Sequence, residues 1–128
     1  GGGNESQSSR PNSHDLKYIE ENFKYIDTYL GSEKFIGEEA IWINDRPFWA
    51  MNYSGRITDE GFSGSFLKEV LSKVTKEYPY RGPMVYQNQN HKYHCIVEGD
   101  FEWFKGYEEI YFKDVKVYEC IFHGGIIL

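Results

Sequence analysis

Three residues near the C-terminus, Glu108, Glu119 and His123, have the types and spacing for acid-base chemistry. Two carboxylates that face each other on an apolar surface repel, so at least one pKa rises, and an imidazole within reach can share the proton. The pairing follows from register. In "DFEWFKGYEEIYF", residues 100 to 112, a two-residue turn at Lys105 and Gly106 sets Trp103 opposite Glu108. A second turn at Lys113 and Asp114 sets Ile110 opposite Val117 and Glu108 opposite Glu119. The core face then carries Cys95, Val97, Phe101, Trp103, Glu108, Ile110, Val117, Glu119, Ile121 and His123. A bland alternative stands beside this one: the sheet edge turns the acids into water or onto a Lys or Arg, and a one-residue slip dissolves the pair. Glu102 and Glu109 fall on the more polar face beside Lys116, where they are expected to be solvated.

A second constellation is aromatic. Trp42, Trp49, Met51 and Tyr53 share one face of a hairpin under the alternation of a strand. Large rings usually fill the space under a helix. They can also line a pocket for a small molecule or peptide, with Arg81 of "YRGP" as the cation at its rim and Trp103 as a further ring. The remaining chemistry-bearing types lead to no site. His91 and His94 are three apart, which on a strand throws them to opposite faces, so no metal site is expected. "FSGS" and "HGG" lack the lysine and spacing of a phosphate loop, so no nucleotide or other cofactor is expected. Cys95 and Cys120 have no neighbouring basic motif that marks a nucleophile, and they read as buried structural thiols.

The elements that must hold these residues are strands. "HDLKYIEENFKYIDTYL" reads as two strands with a turn at Glu21 and Asn22, and "GEEAIWINDRPFWAMNY" as strands 38 to 43 and 48 to 53 around Asn44 and Asp45. "FSGSFLKEVLSKV" sets Phe62, Phe66, Val70 and Val74 on one stripe of an amphipathic helix, with Leu67 and Leu71 beside them. "EYPYRGPMVY" is an ordered loop leading to a short strand, and a three-strand meander closes the chain. The expected fold class is α+β: a mostly antiparallel curved sheet of hairpins and a C-terminal meander, with one amphipathic helix packed on it. Residues 1 to 10, beginning "GGGNESQSS", read as a flexible linker, and residues 11 to 128 as a single domain.

Composition limits the function classes. The 128 residues include 11 Tyr, 9 Phe and 3 Trp, an aromatic content of 18% that suits a sheet core or a lined groove. Fourteen Lys and Arg against twenty Asp and Glu give a net charge of −6. That field repels phosphate backbones, so direct nucleic-acid contact by this domain is not expected. Two cysteines are too few for a stapled secreted scaffold, which points to a reducing cytoplasm. No apolar stretch nears the roughly 20 residues that span a bilayer, so no membrane contact is expected. The sequence is compatible with a homo-oligomer.

Several ordered motifs carry a resemblance: "SRPNSHDLKY", "YIDTYLG", "GEEAIWI", "PFWAMNY", "GFSGSFLKE", "PYRGP", "EGDFEWF" and "VYECIFHGG". From about Ser9 onward the chain resembles a bacterial family defined as a domain of unknown function. Its members occur alone or behind a DNA-binding helix-turn-helix of the XRE type. The resemblance implies no catalytic residues. Ser54 and Ser65 stand where Cys and Asp are expected in relatives, and the helical segment that relatives carry before the Ser-Arg-Pro motif is not in this chain. The leading expectation is a sensor module that binds a small molecule or a protein, regulatory when joined to a fused or upstream helix-turn-helix. A small enzyme using Glu108, Glu119 and His123 is the alternative, and a structural or oligomerising domain is the third.

Overall fold

The computed structural model describes residues 4–128; residues 1–3 of the expected linker lie outside the described residues. Among the described residues nine strands run β1 Asn4–Ser6, β2 His14–Glu20, β3 Phe23–Gly31, β4 Lys34–Ile43, β5 Arg46–Ile57, β6 Val85–Asn88, β7 His91–Asp100, β8 Trp103–Phe112 and β9 Val115–Ile126. Among the described residues one helix, α1, spans Gly64–Leu71. Residues 4 to 6, placed by sequence in the linker, pair with β2 as an edge strand.

All nine strands form one open antiparallel sheet in the order β1-β2-β3-β4-β5-β9-β8-β7-β6. It is two meanders meeting at its centre: β1 to β5 step outward to inward, α1 and a loop carry the chain to the far edge, and β6 to β9 step back. The two longest strands, β5 and β9, pair there. This corrects the α+β class. The fold is mainly β, because the helix covers only eight residues. Ser63 caps its start, accepting from the Phe66 amide at 3.1 Å. At its end the Ser72 hydroxyl donates to the Glu69 carbonyl at 2.5 Å, a local bond that competes with continuation of the helix. Val74, expected on the helical stripe, therefore falls in the loop and is 45% exposed.

The expected hairpin turns at residues 21 and 22, 44 and 45, and 113 and 114 are present. Asn44 and Asp45 have φ of 52° and 62°, and Lys113 and Asp114 have 49° and 66°. Positive φ at both central residues is the turn whose twist matches paired strands. The turn at Lys105 and Gly106 is not present; the chain turns at Phe101 and Glu102 instead. Two local causes fix it there. The Asp100 carboxylate accepts from the Glu102 and Trp103 amides at 3.0 and 3.3 Å, and Gly99 adopts φ +93°, which only glycine does readily. Gly106 lies inside β8, where a Cβ would stand 2.3 Å from the Phe122 ring.

The inner face of the sheet holds the core, with Met51, Tyr93, Ile110, Val117, Tyr118 and Phe122 at 0 or 1% exposure. The helix packs onto that face through Phe66, against Tyr86 and His91, and Phe62 just before its cap stacks on Tyr118. Near residue 15, buried Asp15 accepts from the Ser13 hydroxyl at 2.7 Å and from Thr28 at 3.4 Å, and the Ser13 oxygen accepts from the Arg10 amide at 3.1 Å, which links the Ser-Arg-Pro segment to β3.

Candidate functional site

The acid-base set is not assembled. The turn at Lys113 and Asp114 starts the β8–β9 pairing in the expected register, Phe112 on Val115 and Tyr111 on Lys116, but an irregularity between Ile110 and Tyr111 moves every later pair by one. Glu108 then faces Cys120, and Glu119 faces Glu109. A one-residue slip changes the face of every side chain beyond it. Glu108 is fully buried on the inner face. Glu119 stands on the outer face, where the Lys116 ammonium and the Arg56 guanidinium each donate to it at 2.7 Å and hold its carboxyl down at about 2. His123 pairs with Asn52 and Lys105 on that same outer face, where it is exposed. Of the three residues only Glu108 has the burial that its proposed chemistry needs.

Around Glu108 the structure builds a different cluster. Its Oε1 accepts from Arg81 Nε at 2.7 Å and from the Tyr118 hydroxyl at 2.8 Å, and its Oε2 accepts from the Tyr93 hydroxyl. The Arg81 side chain is 9% exposed. Burial works against the guanidinium's charge, and Glu108 together with Tyr118, Cys120 and Glu39 more than offsets it, so Arg81 is held well above its usual range. Cross-strand neighbours Cys95 and Cys120 flank Glu108 on β7 and β9. Burial pushes their thiols up to about 11 and about 12, which removes them as nucleophiles near neutral pH.

Above this buried floor lies a cavity of about 510 Å³ between the inner faces of β3 to β5 and the loop after α1. Trp49, Tyr53, Tyr80 and Arg81 line it together with Asp27 and Glu39, and Leu71, Val74, Thr75, Lys76 and Pro79 close its helix and loop side. Arg81 lies over the Tyr53 ring, 5.1 Å from its centroid. Tyr53 donates its hydroxyl proton to Asp27 Oδ1 at 2.5 Å, and Tyr25 donates to Glu39 Oε1. Asp27 and Glu39 are cross-strand partners. Burial, with Glu39 beside it, pushes the Asp27 carboxyl up to about 6 against the lowering effect of the Tyr53 hydrogen bond.

Three of the five expected ligand-binding residues, Trp49, Tyr53 and Arg81, thus border one cavity. The other two do not. A bulge between Ile41 and Trp42 turns Trp42 to the outer face, where it borders a hollow with Ile26, Ala40 and Asn52. Trp103, first residue of β8, is 74% exposed. Asp27 and Glu39 were not singled out from sequence, although "YIDTY" carries a usable signal: Asp27 shares the strand face of Tyr25 and Tyr29. No group of three or more His, Cys, Asp and Glu among the described residues is placed to hold a metal ion. No helix among them is long and apolar enough to cross a membrane.

The sequence model of the domain of unknown function DUF5680 matches residues 27–127. No curated protein and no solved structure matches the chain.

Proposed function

We propose that this chain, which belongs to the DUF5680 family, is a sensor module that binds a small molecule in the cavity above Arg81. The observation that carries the reading is the cavity itself. At about 510 Å³ it falls in the range of small-molecule sites, and like them it combines aromatic and aliphatic walls with a few convergent polar groups. The Arg81 and Glu108 pair supports its floor with a rigid hydrogen-bonded base. In the bacterial regulatory setting that the resemblance implies, occupancy of the cavity would be passed to a neighbouring helix-turn-helix reader. The loop of residues 72–84, which closes one wall and also carries Arg81, is the segment suited to report occupancy.

A second reading rests on the outer face, where Ile36, Ile96 and Ile121 are each more than 60% exposed. A hollow of about 530 Å³ lies there among Leu30, Phe35, Ile36, Tyr107 and Ile121, and exposed apolar surface of this kind favours contact with a protein.

A fragment library screened by ligand-observed NMR tests the first reading. Hits are expected whose binding is lost in Val74→Trp, because the indole fills the cavity from its half-exposed wall, while the melting temperature stays within a few degrees of wild type. Hits that bind Val74→Trp as strongly as wild type, or hits confined to the outer face, would refute it.

A further inference from the structure

We infer that a second copy of this chain docks on the outer face of the sheet, sheet against sheet, about a two-fold axis that runs parallel to the strands between β5 and β9. The inference extends the outer-face reading by naming the partner, and it does not depend on the ligand cavity, which lies on the opposite face.

The register builds one apolar row across six strands. Leu30 on β3 pairs with Ile36 on β4, Ile36 with Ser54 on β5, Ser54 with Ile121 on β9, Ile121 with Tyr107 on β8, and Tyr107 with Ile96 on β7. Five steps of about 4.8 Å make the row about 24 Å long. Leu30, Ile36, Ile121 and Ile96 are 41, 64, 61 and 66% exposed, while the helix packs on the other face. Apolar side chains aligned over such a width mark a contact surface. Two sheets stacked about 10 Å apart bury rows of this kind against each other.

Size and charge both name the second copy. The axis sets β5 of one copy over β9 of the other, β4 over β8 and β3 over β7. Ile121 then meets Ser54, the one small residue of the row, at the hollow of about 530 Å³ that both border. Ile36 meets Tyr107, and Leu30 meets Ile96. The rows on either side carry charge. On one side Lys34 and Arg56 stand on β4 and β5, and Glu119 and Glu109 on β9 and β8. The same axis sets Lys34 over Glu109 and Arg56 over Glu119. On the other side Glu38 on β4 falls over Lys105 on β8, with Asn52 over His123 and Thr28 over Glu98. Opposite signs meet in each charged pair and no like charges do, which is the pattern that fixes partner and register. The ion pairs within one copy, Arg56 with Glu119 at 2.7 Å and Lys105 with Glu98 at 3.3 Å, would join alternating networks across the contact. An axis along the row would instead set Ile121 on Ile121 and Ser54 on Ser54, whereas close packing sets large residues against small ones.

Sedimentation velocity of the intact chain tests the inference. Wild type is expected to sediment as a dimer at about 100 µM, and Ile121→Arg, a change at an exposed position, as a monomer with an unchanged circular dichroism spectrum. Glu38→Lys and Lys105→Glu are each expected to weaken the dimer about 10-fold, and the double variant to return to within about 3-fold of wild type, because the exchanged charges face each other again. A monomeric wild type at that concentration overturns the second copy, and leaves both the ligand cavity and contact with a different protein standing. A dimer indifferent to Ile121→Arg forms through another face and overturns the inference. So does a double variant no tighter than the weaker of the two single ones.

Discussion

Arg81→Ala is expected to destabilise the domain by about 3–5 kcal/mol, the cost of leaving one member of a buried ion pair without the other. Glu108 is fully buried, and after the substitution its carboxylate would keep only the Tyr93 and Tyr118 hydroxyls. Urea unfolding should show a lower midpoint at nearly unchanged slope, because the surface exposed on unfolding barely changes. Removing both charges together is far milder. In Arg81→Met with Glu108→Leu the stranded charge is gone, but Tyr93 and Tyr118 lose their acceptor, so recovery is partial. Adding Tyr93→Phe and Tyr118→Phe should restore most of the remainder. A single Arg81→Ala that unfolds like wild type would show that the pair is not buried as described.

The second large effect is expected at Phe122. Phe122→Ala should cost about 3–5 kcal/mol through the cavity it leaves, since the ring is fully buried against Phe104 and lies over Gly106. Gly106 and Phe122 are cross-strand partners. Gly106→Ala alone forces its new methyl group toward ring atoms at 2.3 and 2.4 Å, an overpacking penalty of about 1–3 kcal/mol. In the double variant the ring is absent and the methyl group has space. The combined loss should therefore fall short of the sum of the two single losses by about 1 kcal/mol or more, as for residues in direct contact. Strict additivity would place the Phe122 ring elsewhere.

These two sites also show where sequence reasoning holds and where it fails. Alternation of apolar residues and paired turn formers find β2 to β5 and their turns, because Asn44 and Asp45 supply a backbone conformation that few other pairs adopt, but β4 begins at Lys34 rather than at 38 and β5 runs Arg46–Ile57 rather than 48 to 53. The C-terminal register fails for two reasons that alternation does not encode. Asp100 and Gly99 make a turn through a side-chain acceptor and a left-handed glycine, and these outweigh the turn suggested by Lys105 and Gly106. The irregularity at Ile110 and Tyr111 then separates Glu108 from Glu119. An acid among aromatics was a sound signal for a buried carboxylate, and it holds for Glu108. Applied equally to Tyr25, Asp27 and Tyr29 it would have reached the cavity wall. The helix is shorter than its apolar stripe because Ser72 turns back on Glu69. Arg81 lies in a loop between prolines, so no periodicity aims it at Glu108, 27 positions away in sequence.

Entry of ligand into the cavity bordered by Trp49 can be tested on the three tryptophans, with internal controls. Trp49 lines the cavity, Trp42 is on the outer face, and Trp103 is exposed at a turn. The measurement is ¹⁹F NMR of the chain labelled with 5-fluorotryptophan, its resonances assigned by single Trp→Phe variants, during titration with the tightest fragment hit. Binding in the cavity is expected to give a saturable shift of the Trp49 resonance, with those of Trp42 and Trp103 unmoved. A shift confined to Trp42 or Trp103 while Trp49 stays fixed at saturation would contradict it.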